Sequence, residues 1–125
     1  MSFVWKVGWM IINTKKVQKP WGDELWIANN RENDYCGKIL NIKPGSSTSL
    51  HFHSKKHETF YVLEGNMELT TIDTETAEES ITCLNQGDAF SLDRNIPHRL
   101  QSSSGASILE ISTFHEDCDS YRVFR

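Results

Sequence analysis

From Ile11 onward the chain consists of short runs rich in β-branched and aromatic residues, separated by clusters of Gly, Asn, Asp and Ser. Such runs, bounded by turn residues, are typical of strands in an all-β protein. No long segment has the 3.6-residue apolar spacing of an amphipathic helix. The pattern predicts strands over Glu24–Ala28, Cys36–Ile42, Thr48–His53, Thr59–Glu64, Asn66–Thr71, Ser80–Asn85, Ala89–Leu92, Arg99–Ser102 and Ser107–Thr113.

Two segments between these strands predict turns. Leu63–Asn66 predicts a tight hairpin turn, because Gly65 and Asn66 tolerate the positive φ that such turns need. The segment Asp73–Glu79 is polar and acidic, and we interpret it as an exposed hairpin tip. Short, regularly spaced strands with turn signals between them predict a sandwich or a barrel.

Length and composition narrow the class of protein. A chain of 125 residues has room for one domain, and 38% hydrophobic with 24% charged residues is ordinary for a globular protein. The net charge is -4 and the basic residues are scattered, which argues against nucleic-acid binding. Cys36, Cys83 and Cys118 are odd in number and lack a C-x-x-C pair, which favours a reducing cytoplasm over a disulfide framework.

The first residues form the only long apolar stretch, Met1–Ile12. Lys6 interrupts this stretch, which is also shorter than the roughly 20 residues of a membrane span, so we expect no membrane partner. We interpret it as an over-long start, with Met10 as the alternative initiator, or as an added edge strand. Its apolar residues exceed what a small barrel easily covers, and they predict a homodimer.

Candidate chemistry is concentrated between residues 51 and 58. His51 and His53 point the same way on a predicted strand, where they form a natural chelating pair. Glu58 begins the next strand, and its side chain is expected to point towards the two histidines. His57, one residue earlier, would point to the opposite face, so strand alternation favours Glu58 as a third ligand. His98, at the start of a later strand, is a candidate fourth ligand. The alternative is that His51 and His53 are surface residues of a half-exposed strand.

The spacing of these residues resembles a known family. Gly45, His51, His53, Glu58 and Gly65 stand at the spacing of the first cupin motif. The segment from Gly87 to His98 resembles the second motif, with Asp93 and Asn95 in place of the usual proline and glycine and Ser102 where Asn is frequent.

The resemblance implies an all-β double-stranded β-helix, or jelly-roll barrel, over residues 35–113. N-terminal strands and a Pro-Trp-Gly strap would occupy residues 1–34, and a C-terminal tail residues 114–125. It further implies that one divalent transition metal (Mn, Fe, Zn or Ni) is held by four ligands, His51, His53, Glu58 and His98.

A second likeness concerns the segments flanking the motifs. Lys19-Pro-Trp-Gly22, Ile42-Lys-Pro-Gly45, Tyr61-Val-Leu-Glu-Gly65 and Ile96-Pro-His-Arg99 resemble the type II mannose-6-phosphate isomerase group of cupins. This likeness implies a small-molecule substrate, a sugar phosphate or nucleotide sugar, and an isomerase or epimerase activity. The strap is equally well interpreted as a structural cover of one barrel opening.

Three residues are candidates for acting on such a substrate. Glu110, on a late predicted strand, is a candidate general base, although a structural ion pair would equally explain a carboxylate there. Lys43 and Arg99 carry the charge needed to meet a phosphate, but strand alternation points Arg99 away from the face of His98.

Two further functions stay open for this chain. One is an iron-dependent dioxygenase, because the same ligand set leaves two positions for O₂ and a bidentate substrate. The other is a non-catalytic sugar-binding or sensor module, which would need no general base.

Overall fold

A computed structural model describes residues 8–124, and nearly all of their regular structure is antiparallel strand. The strands are β1 (Lys15–Lys19), β2 (Gly22–Asn30), β3 (Tyr35–Ile42), β4 (Ser46–Ser47), β5 (His51–His53), β6 (Glu58–Ile72), β7 (Glu79–Asn85), β8 (Ala89–Leu92), β9 (His98–Ser102), β10 (Ala106–Ser112) and β11 (Ser120–Arg122). One 3₁₀ turn, Asp117–Asp119, precedes β11. The predicted all-β barrel is confirmed.

The long strand β6 joins two parts of the sheet. Its first half, residues 58–65, lies between β10 and β8 in the order β1-β2-β3-β10-β6-β8. Its second half, residues 66–72, lies between β7 and β9 in the order β7-β6-β9-β5-β11, with β4 also paired to β9. The sheet therefore curls around one interior, and strands distant in sequence meet there.

The predicted hairpin turn at Leu63–Asn66 is wrong, because β6 runs without reversal from Glu58 to Ile72. Gly65 does adopt a positive φ of 78°, two residues after Leu63, where the register between β6 and β10 shifts. A side chain at Gly65 would collide with the backbone oxygen of Gly105. The glycine is thus explained by a close backbone approach rather than by a chain reversal.

The interior is organised in rows of paired residues across β3, β10 and β6. The rows towards one end are apolar, as in the paired set Leu40, Ile108 and Val62. The rows towards the other end contain Lys38 opposite Glu110, and Ser112 opposite Glu58, all of them buried. The apolar core comprises Leu40, Ile42, Phe60, Val62, Met67, Leu69, Leu84, Leu92, Leu100, Ala106 and Ile108.

The peripheral segments meet the expectations in part. The acidic segment is an exposed tip, as predicted, with Ile72 paired to Glu79 at its base. Ile111 is 57% exposed because it faces outward on β10. Residues 8–14 form no strand, and the apolar residues of the first seven positions lie outside the described part of the chain.

Candidate functional site

Three histidines converge at the polar end of the interior. His51 and His53 lie on the same face of β5, and His51 is paired with His98 of β9. One ligand atom from each residue lies within 4.8 Å of the others. His53 and His98 are buried and His51 is half-buried, so the cluster opens to one side through His51.

Backbone carbonyls fix the orientation of all three rings. Nδ1 lies 2.8 Å from the Ser49 carbonyl in His51, 3.0 Å from the Asp119 carbonyl in His53, and 2.9 Å from the Ile96 carbonyl in His98. Because a carbonyl only accepts, each Nδ1 carries the proton and donates it. Each Nε2 is then left with a lone pair, as a metal-ligating histidine requires.

Burial favours the neutral, metal-binding form of His51 and His53. Burial, reinforced by the neighbouring His98, lowers the pKa of His51 to about 3. Burial and the nearby Lys56 ammonium also lower the pKa of His53. Protons therefore compete weakly for these nitrogens near neutral pH.

Glu58 supplies a carboxylate at the edge of the histidine cluster. Its Oε2 atom lies 3.1 Å from Nε2 of His98 and 3.7 Å from Nε2 of His53. Burial would raise the pKa of Glu58, but the contact with His98 and the charge of Lys56 outweigh burial and hold the pKa well below its usual range. With His98 Nδ1 donating to the Ile96 carbonyl, His98 Nε2 and Glu58 Oε2 are two electron-pair donors 3.1 Å apart, a spacing that neighbouring ligands of one metal ion would have. The donor set therefore fits a divalent transition metal.

A buried lysine connects Glu58 to a second carboxylate. Lys56 Nζ lies 3.5 Å from Glu58 Oε1, 3.1 Å from Glu110 Oε2 and 3.1 Å from Nδ1 of His115. Burial would lower the pKa of Lys56, but Glu110 and Glu58 raise it above its ordinary value, so Lys56 remains an ammonium ion. Glu110 Oε2 also accepts a hydrogen bond from Ser112 Oγ at 3.1 Å.

Asp119 holds the turn of residues 54–56, which connects His53 to Glu58. Its carboxylate accepts backbone hydrogen bonds from Ser54, Lys55 and Lys56 and another from the Ser54 hydroxyl, at 2.9–3.2 Å. Burial would raise the pKa of Asp119, but these donors lower it, so the carboxylate stays ionised. Because its backbone carbonyl also accepts from His53, Asp119 positions both ends of the turn between His53 and Glu58.

The histidines and the buried ion pairs line one cavity of about 620 Å³. The strap residues Lys19, Pro20 and Trp21 form part of its wall, and Ser120 and Arg122 of the tail form another part. The tail reaches this position because β11 pairs with β5, with Arg122 opposite His51 and Ser120 opposite His53. The N-terminal strap and C-terminal tail therefore enclose the same cavity.

The candidate substrate residues from the sequence occupy different places. Glu110 is buried in the cavity wall, beside Lys56. Lys43 is exposed and is not part of that wall. Arg99 lines a separate cavity of about 250 Å³ with Thr70 and Ile72, as its parity relative to His98 predicts. His57 lies outside the cluster, with Nε2 3.2 Å from Asp93.

Sequence reasoning missed two buried residues of the site. Lys38, by contrast, is signalled by the sequence as a cation facing the interior, because it alternates with the core residues Leu40 and Ile42 on β3. Lys56 and Asp119 carried no such signal, since each lies outside the strands and is buried only by contacts between distant segments.

Comparison with protein families matches the cupin domain model to residues 38–112. Among solved structures, oxalate decarboxylase from Bacillus subtilis at pH 4.6 has a TM-score of 0.78 at 21% identity, covering 89% of this chain and 30% of that one. The formate complex of Lactobacillus farciminis oxalate decarboxylase has a TM-score of 0.77 at 24% identity, covering 89% and 34%.

This chain therefore spans about a third of the length of those structures. A comparison with curated proteins finds no match. Within residues 8–124, no helix is long and apolar enough to cross a membrane.

Proposed function

Because the chain belongs to the cupin family, we propose that it is a metal-dependent isomerase or epimerase acting on a sugar phosphate or nucleotide sugar. The observation that carries this proposal is the buried Glu110–Lys56 pair, which lies in the same cavity wall as the three-histidine cluster. A cavity that combines metal ligands with a separate carboxylate and ammonium has the groups needed to move a proton on a bound substrate.

The proposed metal ligands are His51, His53, Glu58 and His98. The supporting features are the three Nε2 atoms left free by carbonyl hydrogen bonds and the ionised Glu58 carboxylate beside them. A divalent ion held there would supply Lewis-acid polarisation of the sugar carbonyl oxygen.

Glu110 is the proposed general base. In an aldose–ketose conversion its carboxylate takes the proton from the carbon beside the carbonyl and returns it to the former carbonyl carbon. A second proton moves between the two oxygens, so the reaction needs no oxidant or reductant. Lys56 and Ser112 hold the Glu110 carboxylate in the cavity wall. Water exclusion by the surrounding buried residues strengthens these electrostatic contacts.

The proposed substrate class rests on the strap likeness and on the position of the strap. Lys19, Pro20 and Trp21 line the cavity, so the segment that resembles sugar-phosphate cupins lies where a ligand would contact it. Lys43 and Arg99 lie outside the cavity wall, so a substrate in this cavity would not contact either residue.

We also propose that the protein is a cytoplasmic homodimer, with its apolar N-terminal segment in the interface. Trp9, Ile11 and Ile12 are exposed, at 73%, 78% and 51%. Light scattering of the full chain is expected to give a dimer mass at micromolar concentration, and a strict monomer would contradict this proposal.

Proton–deuterium exchange tests the proposed activity. Metal-loaded protein is incubated in D₂O with phosphorylated and unphosphorylated sugars and with nucleotide sugars, and exchange beside the carbonyl is followed by NMR. Wild-type protein is expected to catalyse exchange that Glu110→Gln abolishes, while Glu64→Gln, at an exposed position, retains it.

Two results would contradict the isomerase proposal. Binding without exchange would favour a sugar-binding module. Oxygen consumption with a small dicarbonyl or thiol substrate, and no sugar binding, would favour a dioxygenase.

A further inference from the structure

The cations in the cavity wall differ in how far other groups neutralise them. Lys38 Nζ lies 3.4 Å from Glu24 Oε1, and Lys56 Nζ lies between Glu58 and Glu110. Both lysines are buried in these pairs, so their charges are committed to carboxylates. They are poorly suited to bind a further anion.

Arg122 is in the opposite situation. It is exposed at the cavity mouth, and its side chain has no hydrogen-bond or ion-pair partner among residues 8–124. Its pairing with His51 across β5 and β11 places both side chains on the same face of the sheet. A free guanidinium therefore lies next to the half-buried histidine through which the cluster opens.

The charge of the cavity favours an anionic ligand once a metal is bound. Among residues 8–124, the cavity is lined by four cationic residues, Lys19, Lys38, Lys56 and Arg122, and by four carboxylates, Glu24, Glu58, Glu110 and Asp117. Apart from the histidines, these charges balance, so a bound divalent ion would leave a positive excess. The whole chain, by contrast, has a net charge of -4. Attraction of an anion is thus a local property of this cavity.

We propose that Arg122 forms an anion subsite at the cavity mouth and binds the phosphoryl group of the ligand whose other end reaches the histidine cluster. This inference rests on the proposed function and specifies where its substrate is held. The planar guanidinium donates two parallel hydrogen bonds to phosphate oxygens. Ser120, opposite His53 on the same pair of strands, contributes a hydroxyl to the same wall.

Calorimetric titration tests the subsite without requiring turnover. Mn²⁺-loaded wild-type protein is titrated with mannose 6-phosphate, mannose, inorganic phosphate and a uridine diphosphate sugar. Mannose 6-phosphate or the diphosphate sugar is expected to bind more tightly than mannose. Arg122→Gln is expected to weaken that binding roughly 10- to 100-fold, the usual effect of losing a charged hydrogen bond. The two phosphorylated ligands distinguish a monoester from a diphosphate.

Two variants with the same loss of charge serve as controls. Lys43→Gln and Arg99→Gln remove cations that lie outside the cavity wall, and both are expected to bind the phosphorylated ligand like wild type. Thermal unfolding and the Mn²⁺ content of every variant verify that the barrel and the metal centre are intact.

Three results would overturn the subsite. The first is equal affinity of Arg122→Gln and wild type for the phosphorylated ligand. The second is a larger loss of affinity in Arg99→Gln than in Arg122→Gln, and the third is no preference of wild type for phosphorylated ligands. If wild type also catalysed exchange on mannose itself, the proposed isomerase function would survive while the Arg122 subsite failed.

Discussion

The two ends of the barrel interior use the same strands for different purposes. On β3, the inward residues change from Lys38 to Leu40 within one alternation, and on β10 they change from Ile108 to Glu110. The apolar end is stabilised by packing. The polar end buries charges that are tolerable only because each is paired. Alternation thus determines which side chains enter the interior, while their chemistry divides it into a packed core and a site.

The largest expected effect is the loss of the central cation at the polar end. Lys56→Met leaves the buried carboxylates of Glu58 and Glu110 without their shared ammonium. We expect the free energy of unfolding to fall by about 3–5 kcal/mol, measured by urea denaturation. Lys55→Met, at the exposed neighbouring position, is the matched control and should change it by less than about 0.5 kcal/mol. Equal effects of the two variants would contradict a paired interior.

A cavity created by mutation at the apolar end should lower the free energy of unfolding without affecting metal binding. Ile108 is fully buried between Leu40 and Val62, so Ile108→Ala is expected to cost about 2–5 kcal/mol in unfolding free energy. Metal content per folded chain, measured by elemental analysis, should remain that of wild type. Loss of metal from folded Ile108→Ala protein would show that the two ends are not separable.

Asp119 tests whether the tail positions the site. Asp119→Asn removes the charge that accepts the backbone hydrogen bonds of the turn from Ser54 to Lys56. We expect metal affinity to fall roughly 10- to 100-fold, as for other residues that orient metal ligands. The Mn²⁺ electron paramagnetic resonance spectrum should also change.

The control for this variant is Asp73→Asn, which alters a comparable turn at the exposed tip, where Asp73 accepts from Glu75 and Thr76. Its affinity and spectrum should match wild type. The same change of metal affinity and spectrum in both variants would contradict a specific role of Asp119.

The strands were predictable where alternation is regular and long. β8 coincides with its predicted range, and β7 and β3 differ from theirs by one residue at the start. The short strands β4 and β11 were missed because two or three residues carry no periodicity. β1 was missed because its sequence, KKVQK, is polar on an exposed edge.

The site was predictable only where it lies on strands. Parity correctly separated buried Glu58 from half-exposed His57 and pointed Arg99 away from His98. The burial of Lys56 depends on Asp119, which lies 63 positions away in the chain. Such contacts are a property of the tertiary fold, and lysine in a turn is ordinarily exposed.

The smallest effect is expected from Glu58→Gln. The amide keeps an oxygen atom near His98 but loses the charge, so metal affinity should fall less than when histidines are removed. Metal titration monitored by calorimetry measures the difference. A complete loss of metal from folded Glu58→Gln protein would contradict a secondary contribution of this ligand.

The central claim is that the polar end of the interior is a metal centre built on His51 and His53. Elemental analysis of the purified double variant His51→Ala/His53→Ala tests it most directly, with His57→Ala as the control outside the cluster. We expect the double variant to remain a folded β protein by circular dichroism and to contain no stoichiometric metal, while His57→Ala retains one equivalent. A full equivalent of metal in the folded double variant would contradict the assignment.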